Sequence, residues 1–272
     1  MEFFKETLRA LRESDPEKKG GLVEVLYTNL KRKRLVFDHD SPVETVEEPS
    51  YASIVTIVRP RDVPKRKHFD NPEGQGILLH AIAHIEYSAI DLALDSAYRF
   101  RHMPFDYYLD WIEVAHDEVR HFGMLDELMK KVGVTYGDYP VHTALFDAGR
   151  KSGGDVLERM AVVPRYLEAN GLDANPKIIK RLKSYPASPM LDAIVDALTV
   201  ILDEEVSHVA KGDRWFKTVC EERGLDTSVY FDIIDRFYPG LEEKTLQLNI
   251  EARRAAGFAC SELKRMGAKK CD

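Results

Sequence analysis

From residue 73 onward, apolar residues recur every three or four positions in long runs, which predicts helices over 73–101, 105–132, about 154–170 and 189–222. "DNPEG" supplies an Asn and a Pro suited to a helix start, "HMP" ends the first run and Gly133 stops the second. "VTYGDYPVH" reads as a loop and 142–150 as a short helix. Pro164 falls inside the third long helix, where its missing N–H predicts a kink. "GLDANP" is expected to close that helix, a short helix follows, "YPASP" leads into the fourth, and smaller helices are expected near 226–237 and 241–266. Before residue 73 the pattern is weaker. Two short helical stretches, "FFKETLRALRES" and "GLVEVLYTNLKRKR", flank the turn-rich "DPEKKGG", and 36–72 holds scattered prolines and one β-like run, "ASIVTIV". Four long helices with few strands predict an all-α bundle over 73–258, preceded by a helical extension and connecting arm (1–72) and followed by a short tail (259–272).

The faces of these helices carry the candidate chemistry. Glu and His stand three apart three times, at Glu113/His116, Glu118/His121 and Glu205/His208. Residues at i±3, i±4 and i±7 share a helix face. Glu118 shares one with Trp111, Val114, Ala115, His121, Phe122 and Leu125, and Glu205 with Leu198, Ile201, Leu202, His208 and Val209. Both are apolar stripes broken only by one histidine. Glu113 and His116 keep company with Asp106, Leu109, Asp110, Asp117 and Arg120, a mostly polar face that reads as solvated surface. Glu86 lies among Leu79, Ile82, Ala83, Ala89, Ile90 and Ala93. Ionised carboxylates in such stripes require compensating positive charge, and a metal supplies it compactly.

Composition narrows the class. Hydrophobic residues make up 44% and charged residues 31%, the balance of an ordinary globular protein. No uninterrupted apolar run approaches the ~18–20 residues of a bilayer span, and the N-terminus lacks a signal-like stretch, so a cytoplasmic protein without a membrane partner is expected. Cys220, Cys260 and Cys271 lack C-x-x-C spacing and are expected as free thiols. The net charge of −7 argues against polyanion binding except at "KRKR" (31–34) and "RPRDVPKRK" (59–67), the basis for an alternative reading as an RNA-binding helical module.

A Glu on each of two helices and Glu-x-x-His on two others is the di-iron or di-manganese pattern of ferritin-like bundles. Over roughly 70–258 the chain resembles an uncharacterised bacterial family with a ferritin-like domain. The resemblance is carried by "HAIAHIEYSAIDLALD", "YYLDWIEVAHDEVRHF", "YGDYPVH", "RMAVVPRYLEANGLD" and "DEEVSHVAKGDRWF". More distantly it is similar to a di-iron hydroxylase acting on a modified tRNA base. Periodicity leaves Glu158 and Glu168 both open as the fourth carboxylate. The resemblance favours Glu168, because "LEANG" looks like a Glu-Ala-Arg ligand segment, with Asn170 in the place of the Arg. It thus implies the ligand set Glu86, Glu118, His121, Glu168, Glu205 and His208 around two iron (or manganese) ions, with Glu118 and Glu205 bridging.

The implied function is a di-iron oxidoreductase, an oxygenase or hydroxylase using dioxygen or peroxide, an electron donor and an unidentified small-molecule or modified-base substrate. A metal-handling or peroxide-scavenging protein without organic substrate is the alternative. Around the site, Trp111, Tyr107 and His142 are candidates for electron transfer or pocket lining, with plain core packing the competing reading for the aromatics and helix capping for His142. Asp117 and Asp203 or Glu204 are candidates to orient the histidines, His84 reads as a hydrogen-bonded structural residue, and Asn249 and Arg253 as groups within reach of a substrate. Nothing in the sequence sets the oligomeric state.

Overall fold

A computed structural model describes residues 1–240 and 247–271. Among these residues there is no β-strand, only the isolated bridges Glu2–Val36 and Ile57–Val141, and the fold is all-α. The chain divides into two compact units, Met1–Asp147 with Tyr185–Ala197, and Ala148–Ser184 with the residues from Leu198 onward.

The first unit is built on α3 (Pro72–Arg99) and α4 (Phe105–Lys131), which pack on each other and are joined by the tight 100–104 turn, where His102 adopts a positive φ of 61°. Asn71 caps α3 by accepting from the Gly74 N–H at 2.9 Å, and Pro72 occupies a first-turn position whose N–H would go unused anyway. Against the expectation that no run is long enough, α3 contains an 18-residue window of mean hydropathy 1.4, long and apolar enough by composition to cross a bilayer; 83% of that window is buried inside the protein.

α1 (Phe3–Arg12) lies on α3, and α2 (Pro16–Lys31) on α4. The expected break at "DPEKKGG" is instead the start of α2: Asp15 caps it by accepting from the Lys18 N–H, and Pro16 begins it. Gly20 permits the close approach, since a Cβ there would sit 3.0 Å from Val119 Cγ1. Lys19, which falls in the expected turn-rich break, is fully buried and donates to Asp91 Oδ1 at 2.6 Å and to the carbonyls of Ala10 and Leu11 at 2.9 and 3.1 Å. It thereby closes the C-terminal end of α1 onto α3. The β-like "ASIVTIV" starts within a 3-10 turn (Ser50–Ser53) and makes the isolated Ile57–Val141 bridge, with no partner strand among the described residues to extend it.

α5 (Ala144–Lys151) and α8 (Pro189–Glu222) each start in the first unit and continue into the second. In the second unit, α6 (Val156–Val162) passes through a π-helical turn, Val163–Glu168, directly into α7 (Ala169–Leu182). The irregularity expected at Pro164 is a π-turn, the wider ladder accommodating the absent N–H. "GLDANP" does not close the helix; Pro176 lies inside α7. On α8, Gly212 faces the Pro164 ring so closely that any Cβ would clash with it.

Arg165, on the π-turn, is fully buried, 3.0 Å from Asp213 and 2.7 Å from Glu262, with Phe216, Tyr230 and Phe258 packed against its guanidinium. α9 (Val229–Phe237), α10 (Ile250–Ala255) and α11 (Cys260–Arg265) complete the unit. The helix expected over 241–266 lies outside the described residues at 241–246, and in the remainder it is the two short helices α10 and α11. The free-thiol expectation is corrected for two cysteines: Cys260 and Cys271 are joined as a disulfide, and Cys220 is free and buried. Chain folding, not local spacing, brings that pair together.

Candidate metal centre

The hairpin of α3 and α4 turns its small-residue and apolar faces inward, and three polar groups go with them. Glu86 is 4% exposed, and Glu118 and His121 are 0% exposed. The three-residue spacing on α4 sets His121 beside Glu118, with Nδ1 3.2 Å from Glu118 Oε2, and α3 brings Glu86 Oε2 to 3.3 Å from the same nitrogen. One ligand atom from each of the three lies within 4.8 Å of the others.

The electrostatics follow from this geometry. Burial opposes a charged imidazole at His121, but the hydrogen bonds and charges of Glu118 and Glu86 outweigh it and push its pKa up to about 11. A proton on Nδ1 thus stands between two carboxylates, at the place a divalent cation would take. Carboxylate and imidazole donors suit iron or manganese, whereas structural zinc favours thiolates. All three cysteines belong to the second unit. The donor set fits a metal of that class.

The second unit holds the other Glu-x-x-His pair. His208 is fully buried, with Nδ1 3.7 Å from Glu205 Oε1. Glu168 ends the π-turn and is half-buried. Glu158, which periodicity could not separate from it, is held by Arg236 of α9 at 2.8 Å.

Several candidates have other work. Trp111 and Tyr107 are buried with ring centroids 6.1 Å apart, and the Tyr107 hydroxyl donates to the Ser96 carbonyl at 3.4 Å, so both belong to the packed core. His142 accepts from the Ala144 N–H through Nδ1 at 3.3 Å, at the start of α5. His84 is hydrogen-bonded at both nitrogens, to the Tyr136 hydroxyl at 2.9 Å and the His142 carbonyl at 3.0 Å. Asp117 lies 3.6 Å from Arg120 and Asp203 is exposed. Arg253 is buried against Asp173 and the Ala169 carbonyl, and Asn249 caps α10, so both brace the second unit. Glu113 and His116 are half-buried, not solvated, because α2 covers their face. His116 contacts Glu24 at 2.7 Å and stacks on Tyr27, whose hydroxyl donates to Glu113.

The offset of six residues from Glu86 sets His80 off the face of that carboxylate, and Tyr136 carries no periodic signal. His80 accepts from the Gly137 N–H through Nε2 at 2.9 Å, and Tyr136 stacks on Tyr87 and packs edge-on against Phe122, the chain neighbours of Glu86 and His121. The aromatic and glycine content of "TYGDY" is the signal that this loop is fixed inward.

Comparison with known proteins places the chain. An uncharacterised protein of Haemophilus influenzae is 37% identical over 273 residues, spanning 96% of this chain and 92% of that protein. No solved structure matches. The model of the family described as "Protein of unknown function (DUF455)" matches residues 12–264, and the chain belongs to that family.

Proposed function

We propose that this protein is a di-metal carboxylate oxidoreductase built on a ferritin-like bundle, carrying two iron or manganese ions and acting in the cytoplasm as an oxygenase on an organic substrate. The observation that carries the reading is the buried convergence of Glu86, Glu118 and His121 from two helices, with a second Glu-x-x-His pair at Glu205 and His208. Two independent occurrences of one costly arrangement favour a shared purpose, because a buried carboxylate without compensation is destabilising. Glu168 is the fourth carboxylate of the reading, supported by the engagement of Glu158 with Arg236.

When bound and reduced, such metals supply dioxygen or peroxide activation. The residues of this chain supply the rest. Glu86, Glu118 and His121 bind, and the exclusion of water around them strengthens their hold on a cation. Glu86 and Glu118 favour a proton at His121 Nδ1, and a bound metal would take the place of that proton. Tyr87 and Phe122, next in the chain to Glu86 and His121, pack edge to face and tie α3 to α4 beside them.

The test is dioxygen uptake by protein loaded with ferrous iron. Uptake that repeats with each addition of reductant, and that Glu118→Ala abolishes, is expected. Iron-loaded protein that consumes no dioxygen under reductant contradicts the proposal.

A further inference from the structure

The structure assigns Cys260 and Cys271 as a redox latch for the C-terminal tail, a thiol–disulfide modification site that the proposed activity does not use. The two cysteines are eleven residues apart, with Cα atoms 5.6 Å apart. Cys271 is 2% exposed and sits in the core cluster of the second unit with Ala169, Leu172, Val209, Phe258 and Leu263. Its carbonyl accepts from Arg254 Nη1 at 2.7 Å. Cys260 is half-buried and therefore the sulfur that reagents reach first, while Lys269 and Lys270, between α11 and Cys271, are exposed.

Among the described residues after α11, Met266 and Ala268 pack partly buried against this cluster and Cys271 alone is fully buried in it. The far end of the tail is thus held by one small side chain and its carbonyl, and closure of the covalent loop fixes that end in the core. Ala169 and Val209 adjoin Glu168 and His208 in the chain, so the anchor packs against the segments that carry two of the proposed ligands. That last link rests on the metal reading; the latch does not.

The chemistry is exchange with a low-molecular-weight disulfide. The Cys260 thiolate attacks one of its sulfurs, forming a mixed disulfide and releasing one thiol. The Cys271 thiolate then displaces the second thiol from Cys260 and closes the protein disulfide. Two protein thiols lose two electrons and two protons, and the small disulfide becomes two thiols; a dithiol reductant reverses the sequence.

The test uses the full chain equilibrated with oxidised glutathione or with dithiothreitol. Thiol titration in denaturant should find one thiol per chain in the first case, Cys220, and three in the second. A closed loop of this size restricts the open tail on the order of 100-fold. Trypsin cleavage at Lys269 and Lys270 should therefore accelerate by up to about that factor on reduction, to the extent that it follows the open population. Cys271→Ser should cleave at the reduced rate under both conditions, with the bulk fold checked by circular dichroism. Three titratable thiols under oxidised glutathione, or cleavage indifferent to redox state in the wild type, overturn the latch. Metal loss to a chelator, measured in parallel, should be faster from the reduced protein; if no metal is bound at all, the metal reading fails while the proteolysis result still decides the latch.

Discussion

Replacing Lys19 by Met removes one charge from the interior of the first unit while keeping the length of the side chain. All three ammonium donors are in use, one on Asp91 and two on the last carbonyls of α1, and the other Asp91 oxygen accepts from the Ser50 hydroxyl at 2.6 Å. The variant leaves a buried carboxylate and two carbonyls of the α1 end without that donor. Removing one partner of a buried pair costs about 3–5 kcal/mol, a large share of the ~5–15 kcal/mol that holds a typical domain. Burial already pushes the Asp91 carboxyl pKa up against the pull of Lys19. Without the lysine, Asp91 escapes by taking a proton, so the penalty shrinks as pH falls. Equilibrium urea unfolding followed by circular dichroism measures it, and the double variant Lys19→Met/Asp91→Leu should lose clearly less than the two single losses added together. A single variant within about 0.5 kcal/mol of the wild type, or strictly additive losses, would refute the claim that this pair fastens α1 to α3.

Two further outcomes follow from particular contacts. Burial pulls the His80 pKa from 6.5 down to about 4, and only the neutral ring accepts the Gly137 N–H. Its contribution, about 3 kcal/mol at most, is complete above pH 6.5 and is lost as pH falls from 6.5 toward 4. Melting temperature against pH should therefore drop more steeply over that window in the wild type than in His80→Gln, and superimposable profiles would contradict it. Gly212→Ala should destabilise by about 1–3 kcal/mol through collision with Pro164, despite the ~1 kcal/mol that alanine gains over glycine in a helix; unfolding in guanidinium that shows a gain would contradict the packing.

What sequence could show depended on how far periodicity reached. α3, α4 and α8 were legible almost to their ends because each keeps an apolar stripe for many turns and carries caps or stops such as Asn71 and Gly133. The same stripes exposed Glu86, Glu118 and Glu205 as polar intrusions. Illegible were the features set by contact across the chain. Lys19 is indistinguishable by pattern from its exposed neighbour Lys18, His116 looks solvated until α2 is laid over it, and the Cys260–Cys271 pairing has no local spacing signal. Pro164 announced an irregularity, but whether it ends a helix or widens one turn depends on Gly212 and on Arg165 with its buried acids.

The central claim is that divalent cations hold the buried carboxylates and histidines together, and metal content tests it most directly. Protein purified without chelators should carry about two iron or manganese ions per chain, with sharp loss from Glu86→Ala and Glu205→Ala variants whose circular dichroism is unchanged. Wild-type protein that remains metal-free after incubation with ferrous or manganous ions, or variants that keep the full complement, would contradict the account.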